Sequence, residues 1–221
     1  MMEKLKIDIV SDVVCPWCVI GFKNLQKAIN QMEDRVEFEV EWKPYELHPE
    51  IPENGYDKKL YMQQKFGDLS GRSSPYTQIT EIGKTLGFDF NFSKSERIPN
   101  TFNAHRLIWK AKEYGVQTRI SEALFKAYFT DGIDIGSNEE LLKIATAEGM
   151  EEESTRAFLN SKEGGQETAD EEMSFIEKSI GAVPTYFINE KYIIQGGQEP
   201  ETFVSFLNKI LEKENRNEVA L

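Results

Sequence analysis

Two cysteines, Cys15 and Cys18, are the residues of this 221-residue chain whose types and spacing point most directly to chemistry. They are the only cysteines in the chain and stand three positions apart, in the segment Cys15-Pro16-Trp17-Cys18. Such a pair can exchange disulfides, since one thiolate attacks a substrate disulfide and the second thiol resolves the mixed disulfide. The same spacing could also provide half of a zinc site, or two unreactive core thiols.

The elements around the motif favour the redox interpretation. An alternating apolar segment, Lys6 to Val13, predicts a strand directly before the cysteines. After them, apolar residues recur at the spacing of one helix face: Cys18, Phe22, Leu25, Ile29 and Met32. Pro16 suits the first helical turn because it has no N–H group to leave unpaired. Cys15 is therefore predicted at a helix N-terminus, where free N–H groups and the helix dipole stabilise a thiolate.

The two cysteines are predicted to differ in exposure and therefore in role. Cys18 begins the apolar stripe, so we expect it to be the more buried sulfur and the resolving thiol. Cys15 precedes the stripe, and we expect it to be the exposed nucleophile. A C-x-x-C motif that follows a strand, opens a helix and begins a βαβ unit is typical of a thioredoxin-like redox centre.

The rest of the sequence predicts an α/β fold whose two halves are separated by helices. A second alternating strand, Arg35 to Leu47, completes a βαβ unit and favours parallel pairing. Apolar stripes at helical spacing between residues 49 and 179 predict an insertion of about four to six helices. Strands return at Thr185 to Ile188 and at Tyr192 to Gln195, and Pro200 opens a last helix.

The predicted architecture is thus a thioredoxin-like βαβ…ββα fold with a large all-helical insertion. We expect residues 1–50 to form the N-terminal half of the thioredoxin-like domain, residues 51–179 the helical insertion subdomain and residues 180–221 the C-terminal half. The last part contains Val183 and Pro184 at the start of a strand, where the missing N–H of proline is tolerated. The residues alone leave the Val183–Pro184 bond open to either isomer.

Composition and charge argue against several classes of function. The net charge is −12, from 26 basic and 38 acidic residues, which argues against binding to nucleic acid or to anionic membranes. No segment approaches the roughly 18 apolar residues of a membrane span, and no secretory leader is recognisable, so we expect a cytoplasmic location. His48 and His105 are the only histidines. We expect no metal and no other cofactor, and neither histidine receives a role.

The motifs resemble the DsbA-like superfamily of thioredoxin-fold proteins, specifically its cytosolic branch, often called FrnE-like. The resemblance covers nearly the whole chain and rests on Ser11 to Gly21, Pro44 to Leu47, Asn103 to Leu107, Gly181 to Phe187 and Gly196 to Gln198. It implies a thiol–disulfide oxidoreductase in which Cys15 is the nucleophile, Cys18 is the resolving thiol and Pro184 is a cis-proline.

Substrate recognition is expected around the same motif. We expect Pro16, Trp17 and Val183 to bind the substrate, Val183 through its backbone. The strongly oxidising periplasmic relatives have histidine between the cysteines where this chain has Trp17, so strong oxidant behaviour is not expected. The expected partners are protein or small-molecule thiols and disulfides, with glutathione among the candidates. The sequence specifies neither the direction of exchange nor the oligomeric state.

Two other functions are compatible with the same fold. One is a glutathione-dependent isomerase or transferase, although resembling enzymes of that kind carry a hydroxyl where Cys15 stands. A resolving Cys18 favours exchange chemistry, because it has no role in activating glutathione. The other is a thioredoxin-fold adaptor that binds a partner protein without using its thiols.

Overall fold

The centre of the fold is a four-stranded sheet, seen in a computed structural model that describes residues 2–66, 76–178 and 180–218. The strands are β1 (Glu3–Ser11), β2 (Val36–Pro44), β5 (Thr185–Ile188) and β6 (Tyr192–Gln195). Their order in the sheet is β2-β1-β5-β6. Strand β1 pairs in parallel with β2 and antiparallel with β5, and β5 pairs antiparallel with β6. The predicted βαβ…ββ order is therefore confirmed.

Two helices complete the thioredoxin-like part. Helix α1 (Pro16–Asn30) connects β1 to β2, and helix α9 (Pro200–Glu218) follows β6. The two helices contact each other and share one apolar core with the sheet. Helix α1 thereby places the cysteine motif at the end of β1 that faces the start of β5.

Helices fill the chain between β2 and β5. They are α2 (Lys58–Phe66), α3 (Tyr76–Thr85), α4 (Phe102–Ala111), α5 (Gln117–Lys126), a π-helix (Ala127–Asp131), α6 (Asn138–Ala147), α7 (Glu152–Leu159) and α8 (Gly165–Glu177). A short ribbon of β3 (Tyr56–Asp57) and β4 (Arg97–Ile98) interrupts them. The described residues thus hold seven α-helices here, more than the four to six expected. Helix α7 has only eight residues, too few for a clear apolar stripe, and in α2 Leu60 is exposed.

The strands that precede and follow α1 end earlier than predicted. Strand β1 covers Glu3–Ser11 rather than Lys6 to Val13, and β2 ends at Pro44 rather than Leu47. The carboxylate of Asp12 connects the two segments that follow these strands. It accepts hydrogen bonds from the backbone N–H of Val14 (3.2 Å) and of Leu47 (2.7 Å), which removes these groups from strand pairing.

Apolar residues cover both faces of the sheet. Ile7 and Ile9 of β1 and Tyr186 of β5 lie in the core shared with α1 and α9. Val10, on the opposite face of β1, packs in a second cluster with Phe175 of α8. Within the residues that the structure describes, no helix is both long enough and apolar enough to cross a membrane.

Candidate dithiol site

The turn between β1 and α1 carries Cys15 at the position predicted for it. Cys15 is the N-cap residue of α1 and has an extended backbone, and Pro16 is the first helical residue. The Cys15 N–H donates to the carbonyl of Asp12 (3.1 Å), and the Cys18 N–H donates to the carbonyl of Cys15 (3.0 Å). No side chain in the described part of the chain caps this helix end. Its first N–H groups can therefore stabilise a thiolate on Cys15.

The two cysteines form a close pair of free thiols. They approach within 3.4 Å of each other, and no disulfide joins them. Burial raises the pKa of the Cys18 thiol well above its ordinary value, and the hydrogen bond with Cys15 and its charge raise it further. The Ser11 hydroxyl and the Asp12 backbone N–H oppose this increase. Cys18 is thus the sulfur that keeps its proton, as expected of a resolving thiol.

Cys15 is buried rather than exposed as predicted, although Cys18 is the more buried of the two cysteines, as expected. Cys15 is only 4% exposed, against 1% for Cys18, so both thiols are buried. One cause is the loop before β5, because the Cys15 thiol donates to the backbone carbonyl of Val183 at 3.7 Å. Tyr128 and Phe129 of the helical segment line a cleft of about 110 Å³ next to Pro16. The apolar stripe of α1 could not predict this burial, because it contains no information on the loop before β5.

The loop before β5 lies against the cysteines. The Val183–Pro184 peptide bond is cis, Pro184 is buried and Val183 is half-buried. The structure therefore brings Val183 and Pro184 together with the dithiol pair. Of the other residues expected to bind substrate, Pro16 is half-buried and Trp17 is 41% exposed at the surface beside the pair.

A buried charge cluster beneath the motif was not foreseen. His105 of α4 places its Nε2 atom 3.5 Å from Oδ1 of Asp12, and the two side chains are 3% and 1% exposed. Glu46 and Glu172 complete the cluster: a carboxylate oxygen of Glu172 accepts from the Glu46 N–H at 2.6 Å. The Glu46 carboxylate in turn accepts from the Thr101 hydroxyl at 3.4 Å. The sequence signal for this cluster is the family-like segment Asn103 to Leu107, which contains His105. The partners of His105 are distant in sequence, so their proximity could not be predicted.

The charges of this cluster shift one another's titration. Burial raises the pKa of Glu46, the positive charge of His105 opposes the increase, and the negative charges of Glu172 and Asp12 add to it, giving about 7. Burial disfavours the His105 imidazolium, but Asp12, Glu46 and Glu172 outweigh that penalty and raise its pKa. Glu46 therefore changes charge near neutral pH under the thiol pair, and His105 keeps its positive charge to a higher pH than an ordinary histidine.

A larger cavity adjoins the cleft next to Pro16. Its volume is about 990 Å³, and it shares four lining residues with the cleft: Lys58, Tyr76, Phe92 and Ser95. Lys58 is half-buried and donates to the carbonyl of Phe92 at 2.6 Å, and burial lowers its pKa. Phe90 and Phe92, which stack on each other, form part of the wall. Aromatic rings and a lysine thus line both the larger cavity and the cleft next to Pro16.

Comparison with known proteins identifies similar sequences and folds. Residues 6–208 match the family described as the DSBA-like thioredoxin domain. The uncharacterised protein YwbO of Bacillus subtilis (strain 168) is 29% identical over 203 residues, which cover 89% of this chain and 92% of YwbO.

Solved structures agree with this match. A probable DsbA oxidoreductase, SCO1869 from Streptomyces coelicolor, superposes with a TM-score of 0.84 at 24% identity, covering 93% of this chain and 89% of that one. The cytosolic disulfide reductase DsbM from Pseudomonas aeruginosa, solved with GSH, gives 0.66 at 15% identity, covering 94% and 99%. At these identities the likeness establishes the fold.

Proposed function

Because the chain belongs to the DSBA-like thioredoxin domain family, whose members are thiol–disulfide oxidoreductases, we propose that it exchanges disulfides through its Cys-Pro-Trp-Cys centre. The observation that carries the proposal is the pair of adjacent free thiols, one at the N-cap of α1 and one buried behind it. This arrangement supplies both sulfurs that a two-step exchange requires.

The geometry supports a division of work between the thiols. The Cys15 thiolate, stabilised by the first N–H groups of α1, attacks a substrate disulfide and releases one substrate thiolate. Cys18 then loses its proton and attacks the Cys15 sulfur, which releases the second substrate thiolate and leaves a Cys15–Cys18 disulfide. In reverse, the same steps transfer a disulfide to a reduced substrate.

The substrate is held, in this proposal, by the residues around the pair. The exposed ring of Trp17 offers an apolar contact, and the half-buried Val183 offers backbone groups next to Cys15. Protein disulfides and small disulfides such as oxidised glutathione are the proposed substrates, since both react by the same steps. We place the activity in the cytoplasm, and a specific FrnE-like relationship is part of this proposal. Support comes from the cysteine usage, because the redox pair leaves no cysteine for a structural disulfide.

The competing functions require fewer of the two thiols than disulfide exchange does. A glutathione-dependent isomerase or transferase needs only one activating group, which would leave Cys18 without a part in the reaction. An adaptor would need neither thiol. Of the three functions, only disulfide exchange gives both of these close, buried thiols a part in the reaction.

Single-cysteine variants treated with oxidised glutathione test the proposal. Cys18→Ser should hold one glutathione on Cys15, because the resolving thiol is missing, whereas wild type should proceed to the intramolecular disulfide. Cys15→Ser should acquire far less adduct, because Cys18 is buried and protonated. Mass spectrometry with peptide mapping locates each adduct.

The same variants separate the competing functions. Wild type should accelerate the reduction of insulin by dithiothreitol, and both single variants should fall to the uncatalysed rate. Adduct formation on Cys18 of Cys15→Ser at the rate seen on Cys15 of Cys18→Ser would reverse the assigned roles. Full insulin reductase activity in Cys15→Ser would refute the proposed function.

A further inference from the structure

We propose that the hydroxyls of Tyr186 and Ser11 form a donor pair that stabilises the thiolate of Cys18 during the resolving step. The inference rests on the proposed function, in which Cys18 must lose its proton in a buried position. It assigns positioning roles to two residues that are not part of the cysteine motif.

Tyr186 carries the clearest anomaly. Its side chain is completely buried in the core shared with α1, and its hydroxyl has no hydrogen-bond partner among the described residues. Leaving a buried hydroxyl unpaired is costly, so native structures seldom retain one without a reason. One such reason is a nearby group that becomes negative during a reaction, because the free O–H can then donate a hydrogen bond to it.

The position of Tyr186 gives its hydroxyl access to the pair. A side chain at Gly21 would overlap the Tyr186 hydroxyl oxygen and approach Pro184. Gly21 is three residues after Cys18 on α1, so the two positions are on the same helix face. The charges of Cys18 and Cys15 act on Tyr186 and, after burial, are the causes that raise its pKa. The hydroxyl therefore lies against α1 at Gly21, about one turn after Cys18 on the same helix face.

Ser11 approaches Cys18 from the other direction. It is the last residue of β1, 4% exposed, and its hydroxyl has no hydrogen-bond partner among the described residues. The Ser11 hydroxyl nevertheless lies near enough to Cys18 to lower the pKa of its thiol. Among the described residues, the titratable group that acts on the Cys18 thiol is Cys15, and the charge of Cys18 acts in turn on Tyr186 of β5. Ser11 and the Asp12 N–H complete the surroundings of Cys18.

The donor pair would act at one step only. When Cys18 loses its proton to solvent, both O–H groups donate to the new thiolate, which then forms a bond with the Cys15 sulfur as the substrate thiolate leaves. The first step, attack by Cys15 on the substrate, does not need either hydroxyl. Variants without them should therefore slow resolution and leave the first step unchanged.

Reaction of the reduced full-length protein with 5,5′-dithiobis(2-nitrobenzoate) separates the two steps. Cys15 attacks the reagent and releases one thionitrobenzoate, and Cys18 then releases the second as the internal disulfide forms. Rapid mixing records both phases by absorbance. Tyr186→Phe and Ser11→Ala each remove one hydroxyl, and the phenylalanine retains the ring that packs on Phe203.

We expect each variant to keep the first phase and to change the second. A hydrogen bond to a charged group shifts its ionisation by about one pKa unit. The apparent pKa of the second phase should then rise by about one unit. At a pH below that pKa, the fraction of Cys18 present as thiolate falls about tenfold. The more basic thiolate is also about threefold more nucleophilic, so the resolving step should be about threefold slower. Above that pKa the variants should be as fast as wild type or faster.

Two control variants and the wild type distinguish the outcomes. Thr168→Val removes another buried, unpartnered hydroxyl, on α8, and Tyr192→Phe removes a tyrosine hydroxyl that binds Glu214 (2.8 Å). Both should match wild type in both phases. An unchanged second phase and pH profile in Tyr186→Phe and in Ser11→Ala would overturn the donor pair. Failure of wild type to release a second thionitrobenzoate would instead overturn the proposed function.

Discussion

At the scale of residues, the chemistry depends on which groups surround two sulfurs. The cysteines and the Val183–Pro184 loop could be expected from the sequence, because strand, turn and helix signals flank them directly. The pairing of Asp12 with His105 could not, since it joins the turn after β1 to α4 across a large sequence separation. Nor could the orphan hydroxyl of Tyr186, because burial and missing partners are properties of the packed structure.

The pKa of Glu46 leads to a prediction about stability. Between its ordinary value of 4.5 and about 7, the folded protein retains a proton that the unfolded chain has lost. Folding stability should therefore decrease as the pH rises through this window. His105, whose pKa is also raised, has the same sign: its contribution is complete below the unfolded pKa of 6.5 and is lost as the pH rises through the folded value.

Replacement of Glu46 by glutamine should flatten this dependence. After allowance for partial exposure, we expect Glu46→Gln to remove about 1–2 kcal/mol of the stability loss between pH 5 and pH 8. The free energy of unfolding in urea, measured at several pH values, checks this. Glu39→Gln, at an exposed position on β2, is the matched control and should follow wild type. An equally steep decline in Glu46→Gln would contradict the assignment.

At the scale of elements, the strands and the helices around the site were easier to predict than the helices between them. Strands β5 and β6 have the bounds that were predicted for them, and α1 begins at Pro16. The number of helices between β2 and β5 was predicted too low, because short or partly exposed helices such as α7 and α2 leave weak periodicity. The burial of Cys15 was mispredicted for a related reason, since the periodicity of α1 contains no information on the elements that cover it.

The contact between α1 and β5 can be tested at Gly21. Alanine there would gain about 1 kcal/mol in helix propensity but would overlap the Tyr186 hydroxyl, and overpacking of this kind costs about 1–3 kcal/mol. We expect Gly21→Ala to be destabilised by about 1 kcal/mol, with part of the loss recovered when Tyr186→Phe is added.

A second glycine provides the control for this measurement. At Gly165, the first residue of α8, an added Cβ would meet nothing nearer than Nε of Arg106, 4.0 Å away. Gly165→Ala should therefore be neutral or stabilising in the same denaturation experiment. If Gly21→Ala were as stable as Gly165→Ala, the close packing of Tyr186 on α1 would be refuted.

At the scale of the whole molecule, charge determines how oxidising the pair can be. A positive environment stabilises the reactive thiolate and makes the disulfide a strong oxidant. This chain has a net charge of −12, and its buried cluster places Asp12, Glu46 and Glu172 with a single histidine beneath the motif. Trp17 between the cysteines adds no charge. The molecule should therefore favour the oxidised pair and behave as a weak oxidant or a reductant.

The most direct test of the account is a redox titration of the intact protein. Samples equilibrated in glutathione buffers of graded potential, quenched with acid and analysed by mass spectrometry, should show one two-electron transition to an internal Cys15–Cys18 disulfide. Its potential should lie nearer the thioredoxin value of about −270 mV than the DsbA value of about −120 mV. Thiols that stay reduced throughout, or that form only adducts and intermolecular dimers, would contradict the central claim.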